Sequence, residues 1–419
     1  MTPAPARAGD DPAPAPRAET RLRGSFSGAA YGAHANAATG AAAARLGRAA
    51  FVPCPCRGTD GRRITNFVDS LDGGIVRADA VFGSARGEKG DASATARTTS
   101  RVVGLWAFDG LVTADVVRAV ATTRAAPGVV RSHGRRSSFD GLVVAGTPVS
   151  DDVAPNTRVD VPGVGHVVLN EVVGRGDGVT SRRVAVTMIV LRVTEDNAMG
   201  LPVGSVVKIA HASSGFSTQT TRGHAGGSAY AADNATHVSD GSNRVGKAAA
   251  VYVGCNAGNG DTRTNTIEEV DVGGVLSLAS GTTTARGARD GRRSSARTSA
   301  TAEDVELLDG LVTADLVAAV ADAGAAPDLL AASTAGSGIG GLVVAGVAVP
   351  PDVAPGTTLA LPGVGRLVVF ERDVARTTRA VRVRVTMLRV LVDEPNAHGL
   401  PVGSDVAVGV AAARARVPR

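Results

Sequence analysis

Aromatic side chains make up only 3% of the 419 residues, with one Trp, three Tyr and eight Phe. A chain so poor in rings argues against a single-stranded nucleic-acid groove, in which successive bases stack on aromatics. Cysteine is equally scarce. Cys54, Cys56 and Cys255 are an odd number, too few for a disulfide framework and wrongly spaced for a zinc site. No run of 18 apolar residues occurs, so no helical membrane span is expected. Residues 1–22 are rich in Pro, Ala, Arg and Asp and lack the apolar stretch of a signal peptide; they read as a flexible arm. No sorting or anchoring segment is visible in residues 414–419, read as a tail.

What is abundant points one way. Hydrophobic residues reach 44%, mostly Ala and Val, and Gly occurs 53 times. Gly breaks helix interiors, whereas Val and Thr sit well on a pleated surface, so many short strands joined by tight turns are expected. The net charge is +5, and a basic balance favours polyanions. The Arg pairs Arg62-Arg63, Arg135-Arg136, Arg182-Arg183 and Arg292-Arg293 read as charges scattered through loops rather than as a groove.

The chain repeats itself. Asp109-Gly-Leu-Val-Thr-Ala-Asp115 returns as Asp309-Gly-Leu-Val-Thr-Ala-Asp315, and Gly141-Leu-Val-Val-Ala-Gly146 as Gly341-Leu-Val-Val-Ala-Gly346. Gly200-Leu-Pro-Val-Gly-Ser205 returns as Gly399-Leu-Pro-Val-Gly-Ser404, and Gly28-x-Ala-Tyr31 as Gly227-x-Ala-Tyr230. Self-similarity on this scale makes two copies of one domain, placed at 23–214 and 226–413 with a linker at 215–225. Val161-Pro-Gly-Val-Gly165 and Leu361-Pro-Gly-Val-Gly365 have the Pro and Gly of a type II turn and lie between alternating apolar segments, which predicts a hairpin. Val381-Arg-Val-Arg-Val-Thr-Met387 has a clean period of two. Thr313–Ala323 could pass for an Ala-rich helix, but its counterpart Thr113–Thr123 is more β-branched, so a strand is expected in both. The fold class is therefore all-β: two tandem β-sandwich-like domains related by internal duplication.

Chemistry was sought in each recurring polar group. Gly336-x-Gly338-x-x-Gly341 matches the dinucleotide spacing but precedes a strand instead of opening a helix, and copy one has Arg136 and Ser138 in its place. Asp109, Asp115, Asp309 and Asp315 recur, yet a pair six residues apart on one strand is about 20 Å apart, too far for a glycosidase pair. Their Asp-Gly steps are ordinary turn starts. Asp151-Asp152 is half lost as Pro351-Asp352. His34, His133, His166, His211, His224, His237 and His398 form no ligand spacing and read as surface polar positions. Cys54 was aligned with Cys255, as a half-buried thiol or an inter-copy disulfide, which leaves Cys56 as the odd thiol. No catalytic, cofactor-binding or metal-binding residue is assigned.

The opening Gly-x-Ala-Tyr, the Leu-x-Gly-Leu-Val-Thr-Ala-Asp word, the Pro-Gly-Val-Gly turn and the late Leu-Pro-Val-Gly-Ser word, in that order and twice over, resemble the choice-of-anchor P family. These are surface or secreted proteins of high-GC Gram-positive bacteria. The resemblance implies an extracellular, β-rich, non-enzymatic module without cofactor. The expected function is an envelope-associated or adhesion-type protein whose two copies bind an anionic cell-wall polymer or a surface protein by avidity, with no nucleic-acid partner. The rival is a secreted glycan-acting hydrolase with its site between the copies. A third option, a carbohydrate platform, would have to use Trp106, Tyr31, Tyr230 and Tyr252.

Overall fold

The computed structural model describes residues 22–36, 47–72, 74–219, 224–235, 246–254 and 259–418. Residues 1–21 of the arm, linker residues 220–223, His237 and Cys255 lie outside the described residues. Among the described residues there is no helix, and thirty strands form four antiparallel sheets in two similar halves, 25–217 and 225–416.

Each half closes on itself. Its first long strand pairs with its last: Ser25–Asn36 with Val206–Ser217, and Ala225–Ala235 with Asp405–Arg416. These strands sit inside a six-stranded sheet, and a larger sheet, of ten strands in the first half and eight in the second, completes the half. The larger sheet is built on three long strands, Ala80–Lys89, Ala94–Ala107 and Val112–Ala126, repeated as Leu276–Asp290, Arg293–Leu307 and Val312–Ala326. The closing strand Val206–Ser217 runs past Ser214 into residues read from the sequence as linker.

The Ala/Val composition sets the packing. Val102, Val117, Ala119 and Ala121 of the larger sheet share one core with Val186, Met188 and Ile209 of the smaller, all at 0% exposure. Hydroxyls bridge the sheets through this core. Thr98 donates to the Ser213 carbonyl (3.0 Å), Ser100 to that of Tyr31 (2.9 Å), and Thr298 to that of Ala412 (3.1 Å). Buried polar groups demand such partners, and these arise in matching places in both halves.

Thr313–Ala323 is strand in full, within Val312–Ala326. Its Ala content favours a helix in isolation, but pairing with Arg293–Leu307 and burial of alternate residues override that preference. The predicted hairpin turn is present too: the Val164 amide donates to the Val161 carbonyl (3.1 Å), with Gly163 at φ 74°.

The halves meet through reciprocal contacts. The Asn66 amide donates to the Phe51 carbonyl of its own half (3.2 Å) and to the Lys247 carbonyl of the other (3.0 Å). Asn265, 199 residues on, donates to the Ala250 carbonyl of its own half (3.0 Å) and accepts from the Arg48 amide of the other (2.6 Å). Both Asn are buried. Gly47 and Gly246, also 199 apart, allow the close approach: a Cβ would lie 1.5 Å from the Thr266 carbonyl oxygen in one case and 2.0 Å from Asn66 Oδ1 in the other. Contacts in which i meets j and j's twin meets i's twin are those of an isologous interface, here formed within one chain. Phe51 and Tyr252 close over it with ring centroids 5.9 Å apart.

Candidate functional site

Of the recurring carboxylates, Asp109 and Asp309 stand in the turns expected of their Asp-Gly steps, while Asp115 and Asp315 stand on the strands Val112–Ala126 and Val312–Ala326. Asp109 and Asp309 follow Phe108 and Leu308 in the left-handed region, with φ between 50° and 57° for all four. Asp115 and Asp315 lie over Gly141 and Gly341, where an added Cβ would fall within 2.5 Å and 2.1 Å of their oxygens. His398 Nδ1 donates to the Asp309 carboxylate at 3.0 Å, which ties this turn to the late loop of the second half.

Three other readings change. Cys54 is a free thiol, as the first of its two readings has it, but fully buried and pushed up to about 12 by that burial, whereas Cys56, read from the sequence as the odd thiol, is disulfide-bonded. The cause lies in register: the short strands Val52–Pro53 and Val251–Tyr252 are 199 residues apart, so Cys56, not Cys54, is the positional twin of Cys255. His211 is no surface position either. It stacks on Tyr31 (4.5 Å, 16°), shares a hydrogen bond of 2.8 Å with Thr187, and is held down to about 3, by burial first and then by the Lys208, Arg183, Arg48 and His34 charges. The carbohydrate platform fails as named: Tyr31 and Tyr230 are buried, Tyr252 packs on Phe51, and Arg77 lies over Trp106 at 5.0 Å.

A further change concerns arginine. The strands gather many of these side chains onto the outer face of the first half's larger sheet, the face turned away from the core. Antiparallel register sets Arg86 opposite Arg97, Arg101 opposite Arg118, and Arg124 opposite Arg131. Residues directly opposite project to the same side, and like charges so placed are destabilising. The burial pattern confirms the side: Val102, Val117 and Ala119 point into the core while Arg101 and Arg118 are exposed. Burial and the neighbouring Arg118, Arg136 and Arg63 charges pull Arg97 below the usual guanidinium range. Burial with Arg135, Arg124, Arg136 and Arg97 does the same to His133. The Arg97 Nε and the His133 Nδ1 are buried without a hydrogen-bond partner.

The second half lacks this face. At the same register positions stand Arg286 and Arg297, Thr301 and Ala318, and Gly324 and Ala331. Arg297 is moreover neutralised by Asp322 at 2.9 Å, where the first half has Thr122 opposite Arg97. Glu268 and Glu303 add negative charge to that second face, flanking Ser280 across the strands.

One row across the first sheet is distinctive. Phe67, Phe82, Arg101, Arg118 and Ser138 stand opposite one another in turn. The corresponding row of the second half reads Thr266, Thr282, Thr301, Ala318 and Gly338. Phe67 and Phe82 stack at 6.1 Å and 20°, and Phe82 is 40% exposed. A cleft of about 1090 Å³ opens over this row, with Arg63, Asp69, Asp140 and Asp151 also among its lining residues. Sequence reasoning missed Phe67 and Phe82 because it sought platforms among Trp and Tyr. The available signal was the contrast between copies, ring for hydroxyl at matched positions.

Among the described residues no group of three or more His, Cys, Asp or Glu is placed to hold a metal ion. Comparison with protein-family models, with curated proteins and with solved structures finds no match to this chain.

Proposed function

We propose that this chain is a non-catalytic binding protein of the bacterial envelope, and that its first half holds an anionic polymer on the outer face of the larger sheet. The observation that supports it most is the asymmetry of a duplicated scaffold. Three directly opposed arginine pairs stand on one half, and a single pair remains at the same positions in the other. Directly opposed like charges weaken a sheet, so their clustering is better explained by a ligand that neutralises them than by folding. The reading departs from avidity between two equal copies: one half binds, and the other lends its structure to the shared interface. The resemblance to choice-of-anchor P proteins favours a location outside the cell, where wall polymers carry phosphate or carboxylate.

The test is direct. The purified chain is mixed with isolated Gram-positive cell wall at increasing salt, and the bound fraction is measured. Binding that falls steeply with ionic strength, and falls at low salt when Arg101 and Arg118 are replaced, supports the proposal. Binding that ignores both salt and these substitutions refutes it.

A further inference from the structure

We infer that the cleft over the Phe67–Ser138 row takes an anionic glycan, a chain in which sugar rings alternate with carboxylate or other acidic groups. The inference rests on the polyanion reading above and narrows it to a substrate class. Three features of the row carry it. The first is the exposed ring. Phe82 rests on Phe67 and is 40% exposed, the one aromatic ring among the exposed large hydrophobic side chains of the described residues, and it stands beside an arginine. A bare polyphosphate has nothing to lay on it, whereas the C–H face of a sugar ring does.

The second feature is spacing. Neighbouring strands are about 4.8 Å apart, so Arg101 stands one strand and Arg118 about two strands, or roughly 10 Å, from Phe82. A ring seated on Phe82 thus places an acidic group on its own carbon skeleton beside Arg101, and one on the following ring beside Arg118. The guanidinium fork binds a carboxylate through two parallel hydrogen bonds, which suits a planar carboxylate better than a diffuse charge.

The third feature is the acidic part of the lining. Asp69, Asp140 and Asp151 line the same cleft. Carboxylates repel a densely charged phosphate chain, but they accept hydrogen bonds from hydroxyls, which a glycan supplies on every ring. Single-stranded nucleic acid fits less well, because it is held by stacking several successive bases and this row exposes one ring.

The experiment measures binding of the full-length protein to three probes at one ionic strength: an oligogalacturonate, in which every ring carries a carboxylate, polyphosphate of matched charge, and an oligothymidylate. Phe82→Thr and the pair Arg101→Thr with Arg118→Ala install the residues the second half already has, so folding is checked by the melting temperature. The expected result is preference for the oligosaccharide, a roughly tenfold loss with Phe82→Thr at unchanged salt dependence, and a loss with the arginine pair that also flattens the salt dependence. Polyphosphate binding at least as tightly, with Phe82→Thr silent, overturns the glycan inference and leaves the polyanion reading standing. Preference for the oligothymidylate overturns it in favour of nucleic acid. Failure of all three probes to bind overturns both.

Discussion

Replacing Arg101 by Thr and Arg118 by Ala gives the first half the residues of the second at two facing positions. The two arginines are exposed and directly opposed across neighbouring strands, and neither has an ion-pair partner among the described residues. Directly opposed side chains sit about 4.5–5.5 Å apart at Cβ, and a like-charged pair at that distance costs roughly 0.2–1 kcal/mol. The double variant is therefore expected to be more stable than the parent by about that amount. It should bind polyanions less well. For nucleic-acid polyanions each neutralised charge contributes about 0.7–0.9 to the slope of log affinity against log salt. Losing two such contacts should flatten the slope by about 1.4–1.8. Urea denaturation gives the first quantity, and affinity measured over a salt series gives the second. A variant that is less stable, with an unchanged salt slope, would refute the reasoning, because the arginines would then be structural. The reciprocal change, Thr301→Arg with Ala318→Arg, should lower stability by a similar amount and create binding on the second half.

Other outcomes follow from groups elsewhere. His211 is held near 3 in the folded chain against an ordinary 6.5, so between these values the unfolded chain takes up a proton that the folded chain refuses. Its contribution is intact above pH 6.5 and is lost as the pH falls toward 3, with a slope of at most about 1.4 kcal/mol per pH unit, and His211→Val should flatten that part of the stability profile measured by urea titration. Asn66→Ala leaves the Phe51 and Lys247 carbonyls without this donor between the halves and should cost about 1–3 kcal/mol by denaturant unfolding, with Asn265→Ala costing a similar amount. Peptide mapping without reduction should find Cys56 in a disulfide and Cys54 as a free thiol, which alkylates only after unfolding because it is buried and raised to about 12.

The features legible in the sequence were those enforced locally. Asp109-Gly and Pro162-Gly163 name their turns through backbone preference, and the Val-Arg alternation of 381–387 names a strand with one buried face. The Thr313 segment was legible only through its copy, since Ala alone points toward a helix. The candidate site was hidden because it is a product of register. Arg86 and Arg97 are separated in sequence by a turn, and Phe67 and Phe82 by two short strands, and each pair become neighbours only when strands pair. Pairs adjacent in sequence, such as Arg135-Arg136, drew attention to loops, whereas the three opposed pairs of the sheet came from single arginines on six positions. Cys56 was misread for a kindred reason: an alignment shifted by two residues looked better in letters than the one the strands Val52–Pro53 and Val251–Tyr252 adopt.

The two halves diverge unevenly, and on the proposed reading the unevenness locates the binding face. Where they touch, the twins remain twins: Asn66 with Asn265 and Gly47 with Gly246, each engaged in the reciprocal contact. Such contacts constrain both halves at once, since an added side chain at either glycine collides with the other half. The outer face of the larger sheet meets the other half at its edge, where the backbones of Phe67 and Thr266 lie against Gly246 and Gly47, and its side chains are freer to diverge. There Phe67, Phe82, Arg101 and Arg118 in one half correspond to Thr266, Thr282, Thr301 and Ala318 in the other. A difference caused only by relaxed packing would leave both faces polar and mild. Instead one face is mild, rich in Thr, with its Arg297 paired to Asp322, while the other, where Glu88 pairs with Arg86, sets Arg101 directly against Arg118 beside an exposed ring. On the proposed reading, strain of that kind on one copy alone marks the surface that meets the ligand.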